Sequence, residues 1–175
     1  MNQIRKLKAD EIECRIGTIN PKGLSLLLYK NARCDMSILD ETFGAENWQR
    51  DHKDLKGRMY CGVGIYIKEQ NGFVWKWDCG AESNTEAEKG EASDSFKRAC
   101  VNWGIGRELY TAPFIWVKAE DCNMQAGVGD RMKCNDKFIV SKITYTKDGD
   151  IDGLCIKNEK TGKNVFVQMP KEKNN

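Results

Sequence analysis

Between Lys89 and Arg98 the chain places three long cations, Lys89, Lys97 and Arg98, among short side chains, Gly90, Ser93 and Ser95. Lysine and arginine bring charge and donors to phosphate oxygens, and small neighbours put no bulk in the way. On a helix, Lys89 and Lys97 stand roughly 80° apart with Ser93 between them, so they share neighbouring surface. This pattern suits capture of a polyanionic backbone. Arg58, which opens a glycine-containing segment, and Arg33 upstream are further candidates for that surface. A plainer reading stays open: Lys89 as a solvated helix residue, and Lys97-Arg98 as cations favoured by the dipole in the last turns.

Other chemistry is poorly supported. No Gly-x-x-x-x-Gly-Lys-Ser/Thr loop is present, so there is no sign of an ATP motor. Gly104-Ile105-Gly106 and Gly127-Val128-Gly129 read as a helix end and a loop. His52, the only histidine, shows no positioned partner for general-base work. Asp78, Glu82, Glu88 and Asp94 can be imagined as a metal-dependent nuclease site, yet they lack ligand spacing, and acids at a helix start follow from the dipole. The 8 cysteines are scattered without a Cys-x-x-Cys pair, which argues for reduced, mostly buried thiols rather than zinc or disulfides. We assign no catalytic residue, no metal and no cofactor, and expect a non-enzyme.

The elements that must position the cations can be read from periodicity. Ala92, Phe96, Ala99 and Trp103 recur at helical spacing and make one stripe suited to a sheet. Thr85 with Glu88 gives a capping box at the start of that helix, and Gly104 and Gly106 end it. Before it, about Trp48 to Asp54, Arg58 to Lys68 and Phe73 to Gly80 read as three strands, with Lys56-Gly57 and Asn71-Gly72 as turns. In the middle strand Cys61, Val63, Ile65 and Ile67 alternate with Tyr60, Gly62, Gly64 and Tyr66, and the glycines leave room for a close approach. Trp75, Trp77 and Cys79 share one face of the third strand.

Upstream, Asn31 caps a helix that turns Met36, Leu39 and Phe43 inward, with Ile38 near that face, and Gly44 ends it. Ala9 to Cys14 reads as a short helix, Arg15 to Ile19 as a strand, and Leu24 to Leu28 as a strand or lead-in. Downstream, Phe114 to Val117, Lys137 to Thr146, Ile151 to Asn158 and Asn164 to Met169 read as strands, and Glu120 to Asp136 as a polar loop. The fold class is α+β, an antiparallel β-meander packed on one face by helices.

At 175 residues, with 40% hydrophobic and 31% charged residues, the chain fits one globular domain. Its core lies at about 24–117, with a C-terminal β extension at about 137–170. Net charge is only +2, so binding to nucleic acid must come from a local patch. Leu24 to Tyr29 is the longest apolar run, too short for a bilayer, and the charged start has no apolar run behind it. A cytoplasmic location without membrane contact is expected.

Three stretches in order, Glu41-Thr42-Phe43-Gly44-Ala45-Glu46-Asn47-Trp48, Arg58-Met59-Tyr60-Cys61-Gly62-Val63 and Asp94-Ser95-Phe96-Lys97-Arg98-Ala99-Cys100-Val101-Asn102-Trp103-Gly104, resemble the annealing domain of the Rad52 family. The likeness is strongest to its short phage and prophage members and runs from about Leu24 to Tyr110. It implies an ATP-independent protein of homologous recombination and double-strand break repair, a ring-forming homo-oligomer or helical filament that lays single-stranded DNA in a basic groove for pairing with a complement. It also implies partners such as a single-strand-binding protein or a phage exonuclease in a bacterial host cell. By position, Lys97 and Arg98 match the family's basic pair, Arg58 and Lys89 match positions usually basic there, and Arg33 lies close to another. Val101 stands where relatives carry one more arginine, and the Gly80–Thr85 connection is shorter than theirs, so no second, outer DNA site is carried over. Two rivals remain: a plain single-stranded DNA-binding module stacking bases on Tyr60, Tyr66, Trp75 or Trp77, and the nuclease.

Overall fold

The structure, a computed structural model, describes residues 3–80, 87–127 and 131–171, with the side chains of 87–89 outside the description. The chain divides into two compact units. One is built from Met1–Lys6 and Asn31–Arg107, the other from Leu7–Lys30 and Glu108–Asn175.

The unit carrying the candidate cations is a helix, a three-stranded meander and a second helix. Helix α1 spans Ala32–Phe43; strands β3, Trp48–Leu55, β4, Arg58–Ile67, and β5, Gly72–Cys79, pair antiparallel in that order; helix α2 spans Ala87–Trp103. These bounds agree with the sequence reading to within two residues. Asn31 caps α1 by accepting from the Cys34 N–H at 3.0 Å, and Gly44 closes it at φ +86°, where an L side chain would be strained. The buried stripe of α1 is Cys34, Asp35, Ile38 and Leu39; Met36 and Phe43, expected inside, are only half-buried. At the other end of α1 Asp40 is held outward by the Trp48 indole N–H at 2.6 Å, which fixes the rotation of the helix against β3.

Lys56 and Gly57, both at positive φ, form the two-residue turn between β3 and β4. Register then decides the faces. Trp48, Arg50 and His52 on β3, Ile65, Val63 and Cys61 on β4, and Val74, Lys76 and Asp78 on β5 stand side by side, and α2 lies over them. On the opposite face are Tyr60, Tyr66, Phe73, Trp75 and Trp77. The room left by Gly62 and Gly64 is filled from within: a Cβ at Gly62 would stand 2.5 Å from the Trp77 indole, and one at Gly64 2.8 Å from that of Trp75. The expected approach to these glycines is therefore made by the chain's own tryptophans. Gly62→Ala should destabilise the protein by about 1–3 kcal/mol through overpacking, a fall that a urea melt will register; an unchanged midpoint would mean that the indole is easily displaced.

The second unit holds the remaining strands, β1, Glu13–Asn20, β2, Gly23–Tyr29, β6, Ile115–Lys118, β9, Phe138–Tyr145, β10, Ile151–Asn158, and β11, Asn164–Gln168. They form one antiparallel sheet in the order β11-β10-β9-β1-β2-β6. The N-terminal hairpin and the C-terminal strands join where Glu13 pairs with Ile139, a contact too distant in sequence for local pattern to reveal. Leu24, Leu26, Ile115, Val117, Leu154 and Ile156 fill its core. The Glu120 to Asp136 stretch, read as a loop, contains a small hairpin, β7, Met124–Ala126, with β8, Met132–Cys134. Ala9 to Cys14 contributes only one 3-10 turn, Ala9–Glu11, before β1 begins. No helix among the described residues is long and apolar enough to cross a membrane.

All 8 cysteines are free thiols, but only Cys34, Cys61 and Cys100 are buried. Desolvation pushes the thiol of Cys14 from an ordinary 9.0 up to about 12, and that of Cys61 to about 11. Both thiols hold their protons longer folded than unfolded, so their contribution to stability is full below pH 9.0 and lost as pH rises toward 11 and 12. Native alkylation at pH 8 should therefore spare the buried Cys61 and be slow at the half-buried Cys14 while denatured chain reacts, and rapid labelling of either would contradict that desolvation.

Candidate nucleic-acid interface

Helix α2 is fastened along its whole described length. Toward its start the Met59 N–H donates to Glu91 Oε1 at 2.9 Å, and Gly80 sits so tightly under the helix that a Cβ would lie 2.3 Å from the Glu91 carbonyl oxygen. In the middle Phe96, Ala99 and Cys100 are buried against the sheet, and Trp48 stacks on Phe96 with centroids 6.3 Å apart. Toward its end the Trp103 indole N–H donates to the Val63 carbonyl at 2.9 Å.

Some cations of this unit serve that attachment. Lys76 Nζ lies 4.4 Å above the Trp103 ring and donates to the Asn102 carbonyl at 2.8 Å, and Arg107 donates to the carbonyls of Val101 and Asn102. Carbonyls in the last turn of a helix lack helical partners and carry partial negative charge, so these two residues close the C-terminus. Arg50 lies over the Phe96 ring at 5.1 Å, and Lys53 over Trp77 at 4.4 Å. None of the four was a candidate from the sequence: the aromatic partners of Lys76 and Arg50 lie on α2, that of Lys53 lies on β5 on the face away from α2, and Arg107 meets carbonyls, so their roles appear only once helix and sheet are packed together.

Lys97 and Arg98 stand side by side in the middle of α2. Neither is bare, as the short neighbours had suggested. Lys97 Nζ is 3.8 Å from Asp94 Oδ1 one turn back, and Arg98 Nε donates to Asp78 Oδ1 on β5 at 3.2 Å. The Arg98 side chain keeps 46% of its surface exposed, that of Lys97 21%. Exposed pairs of this kind are worth about 0–1 kcal/mol, so a phosphate can compete for these cations at small cost. Ser95 does not belong to the polar face at all: it is fully buried beside Phe96, and its hydroxyl donates back to the Ala92 carbonyl at 2.9 Å. It lies one helical turn before Ala99, on the buried stripe, which the residue type concealed. Ser93 is exposed, as expected.

Arg58 is exposed at the end of β4, beside Met59 and hence near Glu91. Residues 91 to 97 rise about 9 Å along the helix, and Arg58 shares its strand face with Tyr60 and Gly62, the face turned away from α2, so Arg58 and the Lys97-Arg98 pair do not form a single cluster. Arg33 is exposed at the start of α1, and among the described residues no bond joins it to the α2 cations. Lys89 falls on α2, but its side chain lies outside the described residues, as do Thr85 and Glu82. His52 Nε2 rests 3.3 Å from the Ala92 carbonyl, a contact that packs β3 against the helix. Of the acidic residues set against a nuclease reading, Asp78 is taken up by Arg98, by the Cys79 N–H at 2.8 Å and by Asn102 Nδ2 at 3.3 Å.

Comparison with known proteins gives one match. The family model described as Rad52/22 family double-strand break repair protein matches residues 3–127, beyond the 24–110 stretch of the motif resemblance at both ends. Neither curated proteins nor solved structures give a match.

Proposed function

Since the chain belongs to the Rad52/22 family of double-strand break repair proteins, we propose that it anneals complementary single strands without nucleotide, as a homo-oligomer, with the exposed flank of α2 against the DNA backbone. The observation that carries this reading is the placement of Lys97 and Arg98 on a docked helix within the matched region, each facing a partly exposed carboxylate. Arg58, exposed at the start of β4, Lys89 by its place in the sequence, and Arg33, exposed at the start of α1, are the further candidates. A chain of net charge +2 binds weakly through one such notch. Repetition around a ring or along a filament multiplies the charge offered to one strand, so affinity rises with subunit number and falls with salt. We place its action in phage or prophage recombination in the bacterial cytoplasm.

The test is direct. Purified protein is sized with and without single-stranded DNA, and annealing of complementary oligonucleotides is followed in the absence of ATP. Large assemblies and accelerated, salt-sensitive annealing are expected. A monomer that binds single strands but leaves their pairing rate unchanged would instead favour the plain binding module.

The aromatic strands bear on that rival. Trp75 and Trp77 pack on each other at 5.7 Å and occupy the space above Gly64 and Gly62, which gives them a structural task without bases.

A further inference from the structure

The two central cations are held differently, and the difference has a source. Lys97 faces a carboxylate on its own helix at a distance beyond hydrogen bonding, whereas Arg98 is bonded across to the sheet. Asp78, its acceptor, is itself tied down. Oδ1 also accepts the Cys79 N–H at 2.8 Å, and Oδ2 accepts from Asn102 Nδ2 at 3.3 Å. Asn102 lies one turn after Arg98 on α2 and also donates to the Trp77 carbonyl at 3.1 Å, so its amide is held against β5 at two points. The result is a relay, Asn102 to Asp78 to Arg98, in which each member sets the orientation of the next.

Stability does not account for this arrangement. The Asp78 and Arg98 side chains are 24% and 46% exposed, and ion pairs so placed contribute little to folding. Helix α2 is already held by Phe96, Trp103 and Lys76. An Nε bond, however, fixes the plane of a guanidinium, and a fixed fork loses less entropy when it meets a phosphate than a freely rotating one.

We propose that Asp78, steadied by Asn102, is a positioning residue that orients the Arg98 guanidinium for a DNA phosphate. This rests on the reading of Arg98 as a backbone ligand. Arg98 is then not interchangeable with lysine: an ammonium cannot take the Nε bond to Asp78 and present a planar fork, so Arg98→Lys should bind about as poorly as Arg98→Ala.

The experiment is a binding series with a fluorescent oligothymidine at fixed salt, using full-length protein. Asp78→Ala should weaken binding about fivefold, the scale of one oriented charge-assisted bond. Asp78→Asn keeps an acceptor for Arg98 Nε and should restore most of the loss, a rescue that separates orientation from charge. In an Arg98→Ala background Asp78→Ala should have no further effect, and thermal melts of all variants show whether each is folded. If Asp78→Ala and Asp78→Asn both bind more tightly, Asp78 competes with phosphate and the proposal is overturned. It is equally overturned if Arg98→Ala weakens binding while folded Asp78→Ala does not. Unchanged binding by Arg98→Ala removes the underlying reading and the proposal with it.

Discussion

Changing Lys97 and Arg98 together to alanine is expected to abolish nucleotide-free annealing and to weaken single-strand binding on the order of 100-fold, the loss of two charge-assisted phosphate contacts in each subunit. The slope of log affinity against log salt should fall by about 0.7 for each contact removed. The fold should survive, because the carboxylates they leave, Asp94 and Asp78, are partly exposed, with Asp78 still bonded by Cys79 and Asn102. A melting temperature within a few degrees of the parent and an unchanged assembly size are therefore part of the expectation. Intact annealing by an intact assembly would show that the DNA path runs elsewhere. Arg58→Ala tests a candidate on another element and should have a smaller effect, since Arg58 at the start of β4 is set apart from the Lys97-Arg98 pair.

The meander was legible because its instructions are local. Asn31 and Gly44 bracket α1 by capping chemistry, Lys56-Gly57 makes its turn by accepting positive φ, and period-two alternation separates Cys61, Val63 and Ile65 from their neighbours. What could not be read depends on which strands meet. Gly62 and Gly64 look like vacancies until the register of β5 lays Trp77 and Trp75 across them. Arg98 looks unopposed until Asp78 arrives from twenty residues away, and Ser95 looks solvent-facing until its helix is set down on the sheet. The joining of β1 to β9 is the extreme case, since no local signal in Glu13 specifies Ile139. Lys97 and Arg98 could be singled out by residue type and helical spacing, while the Asp78 carboxylate that holds Arg98 could not, because it comes from another element.

The largest effect on the fold is expected at Trp103. The residue is 8% exposed at the last position of α2, its indole N–H donates to the Val63 carbonyl in the central strand, and Lys76 lies over its ring. Trp103→Ala removes the ring, leaves a cavity and takes the donor from a buried carbonyl, a cost of about 3–5 kcal/mol. Domains are commonly stable by only about 5–15 kcal/mol, so much of the margin goes with this one side chain. Trp103→Phe keeps most of the packing but not the hydrogen bond and should cost far less, about 1–2 kcal/mol. Urea unfolding of the two variants measures the difference. The consequence for binding follows from position: Asn102 is the adjacent residue, so a loosened helix end frees the relay through Asp78 before the core is lost. Below its unfolding transition Trp103→Ala should therefore bind single strands less tightly than Trp103→Phe, although neither change touches a cation. Equal affinity in the two variants would mean that Arg98 is oriented independently of how the end of α2 is seated.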